Sequence, residues 1–191
     1  MSDAVLPVVI LDASALYPAA LRNLLMRLAG AHLFRPKWTA RIQEEWTQAL
    51  LRTRPELAQQ IARTRTLMEA HVLDAEVTGY EQFIDALDLP DPNDRHVLAA
   101  AIHCDADIIV TVNLKDFPEA ALRQFDISPK HPDNLVLGLL KAYPARVLAT
   151  MREHRLSLKN PPKTIEDYLA TLRLHGLVET VEVLEGITDR L

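Results

Sequence analysis

Residues Asp91–Phe117 read DPNDRHVLAAAIHCDADIIVTVNLKDF. The stretch predicts an apolar helix, opened by Asp91-Pro92 and running through His103, and then a strand over Asp107–Val112. Acids stand at the start of the helix and just past the strand. Asp91, Asp94 and Asp116 can therefore be held near one point on a rigid hydrophobic frame. A further acid, Asp12, closes the apolar run Val8-Val9-Ile10-Leu11. Carboxylates gathered at strand ends of an α/β fold point to a hard-cation site able to act on phosphates.

Working outward, Val8–Leu11 reads as a strand buried on both faces. Ser14 is expected to cap a helix from Ala15 to about Ala29, with Pro18 tolerated in its first turn. Ala31–Phe34 reads as a second short strand ended by Arg35-Pro36. Thr39 caps a helix whose Ile42, Trp46, Ala49 and Leu50 share one face, and Pro55 starts another through Ile61 and Met68. Val72–Val77 is a weaker strand candidate, and Tyr80–Leu87 a short helix. Phe125–Ile127 is expected to be a last edge strand, since Pro129 follows it. Alternating strands and helices imply a mainly parallel sheet flanked by helices, with ligands outside the carboxyl ends of the strands. From Pro132 onward the pattern is all helix, over Asp133–Ala142, Pro144–Leu158, Thr164–His175 and Leu177–Glu185. The organisation expected is a main domain over 1–130 and a C-terminal all-helical extension over 131–191.

The bulk properties narrow the function. The lone Cys104 excludes an intramolecular disulfide and a multi-cysteine zinc cage. No uninterrupted apolar run is long enough to cross a bilayer, and no charged-then-apolar leader opens the sequence, so a cytoplasmic protein is expected. The net charge of −5 argues against a polyanionic partner until its distribution is read. Residues 21–66 carry nine Lys/Arg against three Asp/Glu, a net +6, while residues 67–126 carry thirteen Asp/Glu against three Lys/Arg, a net −10. An acidic centre beside a basic flank suits a metal-dependent enzyme with a polyanionic substrate. GxSxG, P-loop and GxGxxG motifs are absent, and the histidines fit no zinc pattern.

Weighed singly, the acids separate. Asp12 ends a buried strand and must be compensated, by a metal or by the N-terminus of the following helix. Asp91 is an ideal helix cap before Pro92, so Asp94 is the better ligand candidate of the two. Asp116 is pinned before Phe117-Pro118. Glu44 and Glu45 diverge by about 100° on a helix, and Glu45, three after Ile42, is the one expected to reach inward. Asn113 is a neutral oxygen donor beside the site.

Together these residues resemble the PIN domain, the nuclease fold of VapC-type toxins. The resemblance rests on VVILDASAL around Asp12, WTARIQEEW around Glu45, DPNDRHVLAAA around Asp94 and IVTVNLKDFP around Asp116. It spans residues 8–130, with a helical tail similar to that of one bacterial PIN subfamily. It implies a three-layer α/β sandwich with a mainly parallel sheet. It also implies a catalytic quartet of Asp12, Glu45, Asp94 and Asp116, with Asp12, Asp94 and Asp116 as metal ligands. Asp91, Thr111 and Asn113 take accessory positions. The implied activity is a Mg²⁺- or Mn²⁺-dependent endoribonuclease, the toxin of a type II toxin–antitoxin pair. A small antitoxin and a homodimer come with that reading. Basic residues of the 21–66 flank, Arg35, Lys37 and Arg41 among them, would hold the RNA backbone.

Four alternatives remain at this stage. A haloacid-dehalogenase-type phosphatase needs an acid two residues after the first Asp, where this chain has Ser14. A phospho-accepting signalling domain needs an early acidic pair, which is missing beside Asp12. A non-toxin PIN nuclease that processes RNA and a non-catalytic RNA-binding protein are the others.

Overall fold

The computed structural model describes residues 6–190. Its centre is a four-stranded, all-parallel sheet in the order β2-β1-β3-β4. These strands are β1 (Val8–Leu11), β2 (Arg35–Lys37), β3 (Ile108–Val110) and β4 (Ser128–Lys130). Val9, Ile10, Leu11, Ile109 and Val110 are fully buried, as β-branched and aliphatic runs must be when both sheet faces are covered. Helices flank this sheet: α1 (Ala13–Leu16), α2 (Ala19–Gly30), α3 (Ala40–Thr53), α4 (Ala58–His71), α5 (Arg95–His103) and α6 (Glu119–Leu122). The extension supplies α7 (Pro132–Ala142), α8 (Pro144–Ser157), α9 (Ile165–Leu174) and α10 (Val178–Glu185). Among the described residues no helix is long and apolar enough to cross a membrane.

Register places the site. Leu11 aligns with Val110 across β1 and β3, and Val110 with Lys130 across β3 and β4. Asp12, Thr111 and His131 therefore all leave the sheet at the same edge, its carboxyl end.

Three expected elements shift, each for a physical reason. The first helix begins at Ala13, so Pro18 falls beyond its first turn and divides it into α1 and α2. Asp12, rather than Ser14, is the cap of α1. The second strand lies over Arg35–Lys37 instead of Ala31–Phe34, because α2 runs to Gly30 and then closes in a Schellman turn. Leu33 N–H donates to the Leu28 carbonyl at 3.2 Å, and His32 takes the left-handed conformation at φ 53°. The last strand likewise lies over Ser128–Lys130 instead of Phe125–Ile127. Val72–Val77 is not a strand and contributes only an isolated parallel bridge between Glu76 and Trp38.

Candidate active site

Asp12 is a well-compensated charge. It is buried, and its Oδ1 accepts the Ala13 N–H at 2.7 Å. Its Oδ2 accepts the Ser14 hydroxyl at 2.6 Å and the Thr111 hydroxyl at 2.8 Å. The carboxylate sits where the free N–H groups of α1 converge. Ser14 Oγ in turn accepts the Val112 N–H at 3.0 Å, and Thr111 Oγ1 accepts the Asn113 N–H at 3.0 Å. One hydroxyl from α1 and one from the end of β3 thus tie the two strand ends together through a single carboxylate.

Asp91 and Asp94 flank a 3₁₀ turn over Pro92–Asp94 that leads into α5. Asp91 caps that turn through Oδ1, which accepts the Asn93 N–H at 2.9 Å. Asp94 forms no side-chain cap, so its carboxyl is left to the site. Burial pushes the Asp94 carboxyl up to about 6, helped by the negative charges of Asp12, Asp91 and Asp116. Asp94 therefore feels the carboxylates of Asp12, Asp91 and Asp116 across the carboxyl end of the sheet. Asp116 arrives on a second 3₁₀ turn, over Leu114–Asp116, where its N–H donates to the Asn113 carbonyl at 3.0 Å.

Glu45, on α3, has a different environment. Its Oε1 lies 3.1 Å from Arg41 Nε and 3.0 Å from His96 Nε2. Burial alone would raise its carboxyl, but contact with His96 and Arg41 outweighs that and holds it below the usual range. Both ring nitrogens of the buried His96 lack a well-aligned hydrogen bond, so the contact with Glu45 is a close approach without hydrogen-bond geometry. Glu44 is exposed and bonds Gln48 at 2.7 Å, as the divergence of neighbouring helical residues requires.

The three basic residues do not stand together. Arg41 Nη2 donates to the Asn93 carbonyl at 3.3 Å, which sets it beside the Asp91–Asp94 turn. Arg35 aligns with Val8, at the opposite end of the sheet from Asp12. Lys37 Nζ is committed to the Asp74 carbonyl.

Two residues of the site were not recognised as such from the sequence. Ser14 was assigned to helix capping, although a hydroxyl two residues past a strand-end acid is placed to brace it. His96 fits no zinc pattern, and the signal it carries is its place two residues after Asp94 at the opening of an apolar helical run.

A groove of about 550 Å³ lies beside this centre; Ser14, Glu45, Asn113, His175 and Gly176 are among the residues that line it, and Asp12, Asp91, Asp94 and Asp116 are not. The donor set of the centre is oxygen only, which suits a hard divalent ion. Among the described residues no group of three or more His, Cys, Asp or Glu side chains is arranged to hold a metal ion. Asp12, Asp94 and Asp116, the expected ligands, are therefore not drawn together as a ready three-carboxylate cage. Repulsion from Asp12, Asp91 and Asp116, which adds to burial in raising the Asp94 carboxyl, is what a hard divalent ion relieves.

Fold and site together define an α/β protein with an acidic, oxygen-only centre at the carboxyl ends of a parallel sheet. The family described as PIN domain matches residues 8–115, and the chain belongs to it. The family described as VapC50 C-terminal domain matches residues 132–186. Among curated proteins, "Putative ribonuclease VapC50" of Mycobacterium tuberculosis is 38% identical over 94 residues, covering 49% of this chain and 55% of that protein. The chain thus spans about half the length of the curated relative it matches. No solved structure matches.

Proposed function

We propose that this protein is a divalent-metal-dependent endoribonuclease that hydrolyses RNA phosphodiester bonds, as the cytoplasmic toxin of a type II toxin–antitoxin pair. The observation that carries the reading is the placing of acids about the carboxyl end of the sheet: Asp12 at the end of β1, tied to Thr111 past β3, with Asp94, whose raised carboxyl feels Asp12, Asp91 and Asp116, beside it. The likeness to VapC50 supports the toxin role. On this reading a small antitoxin protein would neutralise the enzyme, which would work as a homodimer. Residues 1–130 would carry the nuclease domain and 131–191 the extension.

Asp12, Asp94 and Asp116 would hold a Mg²⁺ or Mn²⁺ ion, which would activate water and neutralise charge on the phosphate. Asp12 is already oriented by Ser14 and Thr111, so it needs little rearrangement to serve as a ligand. Glu45 completes the catalytic quartet from α3, with its charge held by Arg41 and His96. Asp91 fixes the turn that presents Asp94, and Thr111 and Asn113 shape the loop that presents Asp116. Arg41 is the basic residue best placed to meet the RNA backbone beside the acids. Arg35 and Lys37 would reach only flanking nucleotides.

The test is cleavage of single-stranded RNA by the purified protein with and without magnesium. Cleavage is expected to need the metal and to vanish in Asp12→Asn and Asp94→Asn. Undiminished cleavage in both variants would overturn the mechanism. Growth arrest on induction, dependent on Asp12, is expected of a toxin; a cleaving protein that leaves growth untouched would be an RNA-processing nuclease instead.

A further inference from the structure

We propose that the groove beside the acids is a subsite for one nucleobase next to the scissile phosphate, with the turn between α9 and α10 as one wall. This inference rests on the ribonuclease reading and adds to it a specificity element contributed by the extension.

Position comes first. Ala13 and Ser14, the two residues after Asp12, line the groove together with Glu45 and Asn113; Asp12, Asp94 and Asp116 do not line it, so whatever fills it lies beside the acidic centre. Its volume of about 550 Å³ falls in the roughly 300–1,000 Å³ range of small-molecule pockets.

The lining has the chemistry of a base-binding site. Tyr17, Val112 and Leu174 come from three distant segments, remain 38%, 45% and 81% exposed, and border this one groove. Asn113, His131 and His175 add polar groups among them. A nucleobase has two apolar faces and a polar edge, and unstacked bases are recognised by aromatic contact plus edge hydrogen bonds. The acids alone read only phosphate, which carries no sequence. Glu45, the carboxylate that borders the groove, is paired with Arg41 and so repels a base little.

The wall is held in place before any ligand arrives. Gly176 sits at φ +88°, and a Cβ there would meet His131 Cε1 at 3.3 Å. His131 Nδ1 accepts the Asp133 N–H at 3.2 Å. Asp133 in turn accepts the Glu179 N–H at 2.7 Å and the Thr180 N–H at 2.9 Å, which locks the start of α10. A rigid wall costs little to order on binding.

The experiment measures binding of the four nucleoside 5′-monophosphates and of ribose 5-phosphate to the full chain with magnesium present. At least one nucleotide is expected to bind tenfold or more tightly than ribose 5-phosphate. Leu174→Glu and His175→Ala, both checked for an unchanged melt, are expected to shrink that advantage severalfold. Nucleotides that bind no better than ribose 5-phosphate would overturn the inference. So would an advantage that survives both substitutions, which would leave the groove to something other than RNA. Nucleotide binding without RNA cleavage would fault the ribonuclease reading alone, and cleavage without a base preference would fault the subsite alone.

Discussion

At the scale of single residues, the site concentrates negative charge that the fold itself does not want. Asp12 is stabilised by hydroxyls and a helix N-terminus, but Asp94 is half-buried, uncapped and faces three other acids. Asp94→Asn is therefore expected to stabilise the metal-free protein at neutral pH by ~1 kcal/mol, after allowing for partial solvent screening. The same substitution is expected to abolish cleavage. A melting temperature that falls instead would mean that the carboxylate is compensated by something other than a metal. Asp91→Asn should cost less activity, because an asparagine oxygen still caps the Pro92–Asp94 turn; comparable kcat/KM losses in the two variants would refute that division. The capping role of Asp91 could be read in the sequence because capping has a local signature. The contact of Ser14 with Thr111 and the pairing of Glu45 with His96 could not, since they cross 97 and 51 positions of the sequence.

Elements tell a similar story about edges. Pro36 and Pro129 were read as strand terminators, yet each sits at the centre of an edge strand, opposite Val9 and Ile109. An edge strand bonds through one side only, so a proline whose missing N–H would face away from the sheet loses no ladder bond. In the extension the helix limits were accurate, because alternating caps, prolines and Gly176 leave local marks. Contacts between those helices were not visible in the sequence, and two of them can be tested. Asp133→Ala removes both acceptors at the start of α10 and is expected to destabilise the protein by about 1–3 kcal/mol, with hydrogen exchange fastest in α10. Asp133→Asn, which keeps one acceptor, should cost less. His154 on α8 contacts the Tyr168 hydroxyl of α9 at 3.1 Å, and burial holds it down to about 4 against an ordinary 6.5. The unfolded chain then takes up the proton first, so this histidine's contribution is complete above about 6.5 and is lost as pH falls toward 4. Asp94 works in the opposite direction over much of that window, since its folded carboxyl is raised. The comparison that isolates the histidine is His154→Gln. Relative to the parent protein, its unfolding free energy should rise by roughly 3 kcal/mol between pH 6.5 and pH 4. Parallel pH curves for the two proteins would remove His154 as the cause.

For the whole molecule, the decisive fact is that sheet and extension share one core. Leu24 and Leu28 of α2 belong to the same buried cluster as Val147 and Met151 of α8, Leu172 of α9 and Leu184 of α10. α2 packs against both α8 and α9, and Arg27 on α2 donates to the Ser157 hydroxyl at 2.9 Å. Each large apolar side chain uncovered forfeits about 1.5–3 kcal/mol, against a typical total stability of 5–15 kcal/mol. A fragment ending at His131 would expose the α2 side chains that α8 and α9 now cover. It would also lose the Leu174–Gly176 wall of the groove beside the acids. Such a fragment is expected to be unfolded or aggregated, while the full chain unfolds in a single transition whether followed by far-ultraviolet circular dichroism or by tryptophan fluorescence. Trp38 and Trp46 both lie on the sheet side of the core, so fluorescence reports that part while circular dichroism also weighs the extension's helices. Two separated transitions, or a soluble fragment with a sharp melt, would make the extension an independent arm. Coincident curves would mean that the extension cannot let go of the site without unfolding the sheet that builds it.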